Sequence, residues 1–421
     1  MKLETPPGTR DFLPEEMLKR QELFDRIRLT FEKYGFSPAE TPAFEYSEIL
    51  EGKYGEEEKL IYRFEDMGGR KLALRYDLTV PLVRMFSSNQ PTLPFKRYCI
   101  SRVWRFDRPQ KGRYREFWQC DVDTIGVSGM KADAEVAACA IDALNAIGLK
   151  NFEFRINNRK LLDGLLEKCG IPKEKELDAF RALDKLEKQG MEHVKKEFLE
   201  RGVENGDRLL GMFSLKTLEE VEKEIGKNEG IDELRQILEY LKAMGLDKNV
   251  VLDLSMVRGL DYYTGPIFEV KEGDYGSIAG GGRYDNLIGD LSGKSSPAVG
   301  ISLGIERIAE VMREKKLLTE RKTATEVYVL CADSESFAKA LEITKTVRSL
   351  GISAETDLLD RNFGNQMKYA SKSNIPKVVI VGQRDLKQGN VTVKDMKTGE
   401  QKAVKVQDLT KTLKQNENRD T

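Results

Sequence analysis

Residues 95–125 read FKRYCISRVWRFDRPQKGRYREFWQCDVDTI, and this stretch decides the fold. Its alternation describes two extended arms joined by a basic tip. Successive side chains of a strand point to opposite faces. In the first arm, Arg97 to Phe106, Tyr98, Ile100, Trp104 and Phe106 therefore share one face, and Cys99, Ser101, Val103 and Arg105 the other. In the second, Tyr114 to Ile125, Trp118, Cys120 and Val122 lie opposite Arg115, Phe117, Gln119, Asp121 and Asp123. That last set is too polar for a core. Arginines, carboxylates and an amide backed by aromatics make a better floor for a polar ligand site than a wet surface, although an amphipathic hairpin would be the reading if they stood alone. The tip, Asp107 to Arg113, adds Arg108, Lys111 and Arg113 around a turn shaped by a proline and a glycine. Such a charge density suits a nucleotide triphosphate or a nucleic-acid backbone.

Upstream of the hairpin, Glu15 to Tyr34 places Met17, Leu18, Phe24, Ile27 and Phe31 at helical spacing, and Gly35 stops the helix. The extended piece FSPAETPAFEYSEIL carries Pro38 and Pro42, which belong at a sheet edge or a subunit contact. Leu60 to Glu65, DMGG and Arg70 to Tyr76 form a second hairpin. It leads to Asp77, Leu78 and Thr79 just before Pro81 opens a helix. Asp77 and Thr79 suit an ammonium ligand and a helix cap about equally.

Downstream, residues 131–147 are helical and alanine-rich, and Phe152 to Asn157 is a strand. Long charged helices with solvated faces fill about 159–245 and read as an insertion. Strand character returns at Val250 to Leu254, followed by MVRGLDYYTGPIFEVKE, in which Arg258 is placed to stack near Tyr262 and Tyr263. In GSIAGGGRYDNLIGDLSGKSS three consecutive glycines permit a close backbone approach or an unusual turn. GDLSGKSS has one residue too few between its glycines for a phosphate-binding P-loop, and the flanking elements are wrong. AVGISLGIERIAEVMREKK is a short strand and a helix with Arg307 in its first turn, where a cation suggests an anionic partner. After the polar stretch KKLLTERKTAT, strands at 326–332, 352–358 and 377–381 alternate with helices at about 335–350 and 362–374. With a hairpin at 391–406 they form an α/β domain with a partly parallel sheet, and the tail from Lys411 is frayed.

Composition bounds the function. The 421 residues allow two or three domains, and a third of them are charged, as in an ordinary globular protein. With 69 basic and 70 acidic residues, any nucleic-acid contact must come from local patches. The start MKLETPPGTRDF has no apolar core of a signal segment, and no run approaches the roughly 20 apolar residues of a membrane span, so a cytoplasmic protein is expected. Five scattered cysteines without a C-x-x-C pair argue against disulfides and zinc. His193, the only histidine, lies in a Lys/Glu-rich helix and excludes both a Ser-His-Asp triad elsewhere in the chain and a multi-histidine metal site.

In this order the pieces resemble the histidyl-tRNA synthetase family, a branch of the class II synthetases, over essentially the whole chain. RPQKGRYREFWQCDVD looks like motif 2, VRGLDYY and AGGGRYDNL match the two histidine-specific motifs, GISLGIER looks like motif 3, and TPAFE looks like the dimer-forming motif 1. The resemblance implies an α+β fold: a class II antiparallel sheet flanked by helices in residues 1–324, a helical insertion at about 159–248, and an α/β anticodon-binding domain in 325–421. It implies ATP-dependent ligation of L-histidine to tRNA(His) through histidyl-adenylate, with ATP and Mg²⁺ as cofactors and a homodimer as the working form. No membrane partner is implied.

By the same resemblance Asp77 and Thr79 take the α-amino group, with Leu78 beside them. Gln119 and Asp123 hold the imidazole with Tyr263 and Tyr284, and Tyr262 joins this histidine-binding set. Arg105 bridges the substrate carboxylate and the α-phosphate, and Arg258 sits where the attack occurs. Arg113 and Arg307 hold the outer phosphates, Phe117 lies under adenine, and Gln110 and Lys111 meet the tRNA acceptor end. No residue is assigned as a metal ligand. QCDVD carries Asp123 where bacterial members have glutamate, as archaeal and eukaryotic members do. The rival reading is the regulatory subunit of ATP phosphoribosyltransferase, which resembles the family without aminoacylating and lacks the C-terminal domain.

Overall fold

The computed structural model describes residues 2–110, 112–183, 185–257 and 262–414. By compactness the chain divides into one unit of residues 1–11 and 23–318 and a second of 12–22 and 319–421.

In the first unit, β1 (Ser37–Pro38) is an edge strand that pairs in parallel with the hairpin described below, as its proline requires. β2 (Phe44–Tyr46), β3 (Arg63–Glu65) and β4 (Lys71–Leu74) make a separate small sheet in the order β2-β4-β3. The second hairpin is thus shorter than its sequence pattern, because residues 55–60 form a 3-10 turn. The quoted stretch is the antiparallel pair β5 (Phe95–Trp104) and β6 (Glu116–Ile125). Both arms end sooner at the tip than alternation suggests. Phe106 N–H donates to Leu60 O at 2.8 Å and Arg115 N–H to Gly8 O at 2.8 Å, which draws the chain away from the ladder on both sides.

β7 (Glu153–Asn158), β8 (Val250–Leu252), β9 (Pro266–Lys271), β10 (Ser277–Arg283) and β11 (Ala298–Gly304) complete a main sheet of order β1-β5-β6-β11-β10-β9-β7-β8. Apart from the parallel β1/β5 and β7/β8 pairs, its ladders are antiparallel. The alanine-rich helix Lys131–Ala146 packs on β6 and β11, and helix Ile305–Glu314 on β6, β10 and β11. Small side chains let the first helix approach closely, and its Ala134, Ala137, Ala138 and Ala140 are buried. Between β7 and β8 the described residues are helical, from Arg159–Cys169 to Glu229–Ala243, as the charge pattern suggests. His193 lies half-exposed on helix Met191–Glu200, 3.4 Å from Glu197.

The glycine triplet makes no turn. It lies within β10, where a Cβ on Gly281 would come 2.2 Å from Gly300 O, so the close approach of β11 requires glycine there.

The second unit holds β12 (Val327–Cys331), β13 (Ala354–Thr356), β14 (Lys377–Val381), β15 (Asn390–Asp395) and β16 (Gln401–Lys405) in the order β13-β12-β14-β15-β16. β12 runs parallel to both neighbours, and β14/β15 and β15/β16 are antiparallel. Among the described residues no helix is long and apolar enough to cross a membrane.

Candidate active site

Cross-strand register builds the site floor. Arg97 stands opposite Asp123, Cys99 opposite Asp121, Ser101 opposite Gln119 and Val103 opposite Phe117. β11 extends the same face with Gly300 beside Asp123, Ser302 beside Asp121 and Gly304 beside Gln119, and β10 adds Gly282 and Gly280. The glycines keep this floor low. A Cβ on Gly280 would meet nothing closer than Phe268 O at 3.8 Å, whereas one on Gly282 would strike the Tyr263 ring at 2.9 Å and one on Gly300 the Asp123 carboxylate at 2.0 Å. Tyr263 and Asp123 thus occupy the room that Gly282 and Gly300 leave.

One end of the floor is acidic. Asp123 Oδ1 accepts the Tyr284 hydroxyl at 2.6 Å, and Oδ2 lies 3.0 Å from Arg97 Nη2, an ion pair without hydrogen-bond geometry. Arg97 also donates to Leu78 O at 2.8 Å. Gln119 donates from Nε2 to Ser302 Oγ at 2.7 Å. Asp77 Oδ1 accepts the Tyr54 hydroxyl at 3.0 Å and the Thr79 and Val80 N–H groups at 3.1 Å, so it caps helix Thr79–Asn89. Tyr262 and Tyr263 join hydroxyls at 3.1 Å with ring centroids 4.3 Å apart.

Burial raises the carboxyls of Asp77, Asp121 and Asp123 above the usual range; Arg97 pulls the latter two down, and Arg105 and the helix N–H groups pull on Asp77. Gln119 Oε1, Asp121 Oδ1 and Asp123 Oδ2 are all buried acceptors without a hydrogen-bond partner. A face that buries acceptors and negative charge against little positive charge suits a cationic, N–H-rich ligand.

Asp121 carries a measurable consequence. Its carboxyl is pushed up to about 7 by burial, with Arg97 opposing and Asp123 adding to the rise. From about pH 4, where the unfolded chain releases this proton, to about pH 7 the folded chain keeps it, so stability falls as pH rises through that window. Asp121→Asn should flatten that part of the curve of melting temperature against pH. A slope equal to the wild type's would place the proton elsewhere.

The other end is basic. Arg105 follows β5, donates from Nε to Tyr76 O at 3.0 Å, and holds its guanidinium 4.2 Å from the Tyr76 ring centroid and 5.2 Å from that of Phe117. Burial works against its charge, but Tyr76, Glu57, Asp77 and Tyr54 outweigh that and raise its pKa. Phe117 packs on Leu78, Cys99 and Val103. Arg113, half exposed, lies 3.6 Å from Asp107, and its backbone bridges to Gln110. Arg307 donates to Ser277 O at 2.6 Å from the first turn of its helix.

Arg115 leaves the floor that alternation assigned to it. It lies just outside β6, donates to Asp107 O at 3.1 Å and stacks 4.1 Å from the Phe106 ring centroid. Arg97 supplies the floor's cation instead, and the same alternation, counted from the start of the arm, would have found it. Ser302, Gly300 and Tyr54 carried no signal, because only β11 and the 3-10 turn bring them in. Arg283 of AGGGRYDNL is structural: it is buried, pairs with Asp133, and donates to Val127 O at 3.0 Å. Arg258 and Lys111 lie outside the described residues.

The profile of the histidyl-tRNA synthetase family matches residues 8–308, and that of an anticodon-binding domain matches 326–416. A histidine–tRNA ligase of Aeropyrum pernix is 43% identical over 97% of this chain and 97% of its own length. The crystal structure of a histidyl-tRNA synthetase from Nostoc superposes with a TM-score of 0.88 at 31% identity, covering 99% of this chain and all of that one. A Bacillus halodurans structure described as an ATP phosphoribosyltransferase regulatory subunit/histidyl-tRNA synthetase follows at a TM-score of 0.76 and 25% identity, over 91% of this chain. Architecture, site floor and full-length similarity converge: the chain belongs to the histidyl-tRNA synthetase family.

Proposed function

We propose that the floor binds histidine lengthwise, its nitrogen groups over the acidic end and its carboxylate at Arg105, and that the chain ligates L-histidine to tRNA(His) there. The observation that carries this reading is the contrast on one floor: buried acceptors of Gln119, Asp121 and Asp123 that lack a hydrogen bond, and the Arg105 guanidinium stacked near Tyr76 and Phe117. A zwitterion with an N–H-bearing side chain complements both.

Asp77, whose Oδ1 is occupied by the helix cap, offers its other oxygen to the α-ammonium group with Thr79 and the Leu78 backbone. Gln119 and Asp123 hold the imidazole with Tyr263 and Tyr284, and Tyr262 braces Tyr263. The substrate carboxylate then attacks the α-phosphorus of ATP, the bond to the β-phosphate oxygen breaks, and histidyl-adenylate and pyrophosphate form. The 3′-hydroxyl of the terminal tRNA ribose next attacks the histidyl carbonyl, releasing AMP. Catalysis is positioning and charge stabilisation, with Arg105 and Arg258 at the α-phosphate, Arg113 and Arg307 on the outer phosphates, and Phe117 under adenine. An amino acid without the imidazole N–H leaves the buried Oδ2 of Asp123 without a hydrogen-bond donor, at a cost of about 1–3 kcal/mol or more.

Among the described residues no three carboxylate, histidine or cysteine side chains cluster to cage a metal. Mg²⁺ fits as an ion carried mainly by triphosphate oxygens. It would neutralise charge on the outer phosphates.

The tip around Gln110 and Lys111 meets the acceptor end, residues 1–324 with their insertion at about 159–248 form the catalytic domain, and 325–421 read the anticodon. The exposed aromatics Phe44, Tyr46 and Phe64 on the β2-β4-β3 sheet support a homodimer formed through this face. The protein works in the cytoplasm. The regulatory-subunit reading lacks support from the C-terminal residues, which match the anticodon-binding profile. The test is exchange of labelled pyrophosphate into ATP, expected with histidine and with no other amino acid.

A further inference from the structure

The Gln119 amide has two orientations, and only one offers the site an acceptor. Its Nε2 lies 2.7 Å from Ser302 Oγ, and Ser302 stands directly opposite Asp121 in the β6/β11 ladder. A hydroxyl has one proton to donate. The Asp121 carboxyl stands across the ladder on the same face, and the Ser302 side chain lowers its proton affinity, so it is the acceptor offered to that proton. With that proton committed, Ser302 Oγ can only accept from the amide, so Nε2–H must face it and Oε1 must face the site. Oε1 is there, buried and without a partner.

The acid at position 121 does not serve packing. Asp121 is 3% exposed, its cross-strand neighbour is Cys99, and its Oδ1 has no hydrogen-bond partner. A buried carboxyl in that state is costly.

We propose that Asp121 is a positioning residue that acts through Ser302 to lock the Gln119 amide oxygen toward the substrate, so that Gln119 accepts an N–H of bound histidine. This rests on the histidine reading of the floor given above. The lock needs an acceptor at position 121 and not its charge. A proton on Oδ1 leaves the other oxygen free to accept from Ser302.

The test is a kinetic cycle in pyrophosphate exchange with the full chain. Asp121→Ala and Ser302→Ala should each raise the histidine KM about ten-fold, the range for one misplaced buried hydrogen bond, with the ATP KM unchanged. The double variant should be no worse than either single variant, because both remove the same lock. Asp121→Asn keeps an acceptor and should restore a histidine KM near the wild type's. If Ser302→Ala leaves the histidine KM unchanged while Asp121→Ala raises it, Asp121 touches the substrate directly and the lock is wrong. Additive effects, or equal rises in both KM values, would overturn it too. Absence of histidine-dependent exchange in the wild type would instead overturn the reading of the floor on which the lock rests.

Discussion

Arg105→Ala should lower histidine-dependent pyrophosphate exchange by on the order of 10²–10³-fold or more while leaving the melting temperature nearly unchanged. The size of the loss follows from where the guanidinium sits. Its Nε is anchored on Tyr76 O, and its guanidinium lies 4.2 Å from the Tyr76 ring centroid and 5.2 Å from that of Phe117. In the proposed mechanism this guanidinium meets the charge that develops on the α-phosphate oxygens during attack. A guanidinium already in place needs no reorganisation at that moment, which makes such groups worth more than a mobile cation in water. The fold should tolerate the change because Arg105 follows β5 and belongs to neither hydrophobic cluster around it. Exchange at wild-type rates in a folded Arg105→Ala protein would remove this residue from the chemistry.

Gly300→Ala should raise the histidine KM by on the order of 10²-fold and move the ATP KM much less. The added methyl would lie 2.0 Å from Asp123 Oδ1 and 2.9 Å from Val122 O. The strand backbone cannot retreat without breaking the β6/β11 ladder, so the carboxylate must swing away. It would then lose both the Tyr284 hydroxyl at 2.6 Å and Arg97 at 3.0 Å, and leaving one partner of a buried ion pair alone typically costs about 3–5 kcal/mol. Asp123→Ala removes the same group without the collision and should raise the histidine KM to a comparable degree. An unchanged histidine KM in Gly300→Ala, with the protein folded, would show that Asp123 does not face the substrate.

These two residues mark what could be read from the chain. Period-two alternation placed Gln119, Asp121 and Asp123 on one face, because strand geometry leaves no other choice once the arm is recognised. It could not say which strands flank that face. Gly300 and Ser302 lie about 180 residues along the chain from Asp123 and Gln119, and their contact exists only because β11 pairs with β6. Arg115 failed for a local reason. Its backbone N–H is claimed by Gly8 O, from an N-terminal segment whose role no periodicity announces. Asp77 reads equally as cap and as ligand, and the structure bears out the cap, through one of its two oxygens. The glycine triplet needed the sheet to be interpretable: one glycine admits the neighbouring backbone, one the Tyr263 ring, and one leaves the floor open. Single residues were legible where they repeat a local pattern, and opaque where a distant strand completes it.

Exchange of labelled pyrophosphate into ATP by the wild-type protein, run with each amino acid in turn, addresses both ends of the floor at once. Exchange with histidine alone is the expected result, since it requires the acidic end to select the side chain and the basic end to activate the carboxylate. No exchange from a folded protein that still binds histidine would contradict the ligase mechanism and leave a histidine-binding protein without this chemistry.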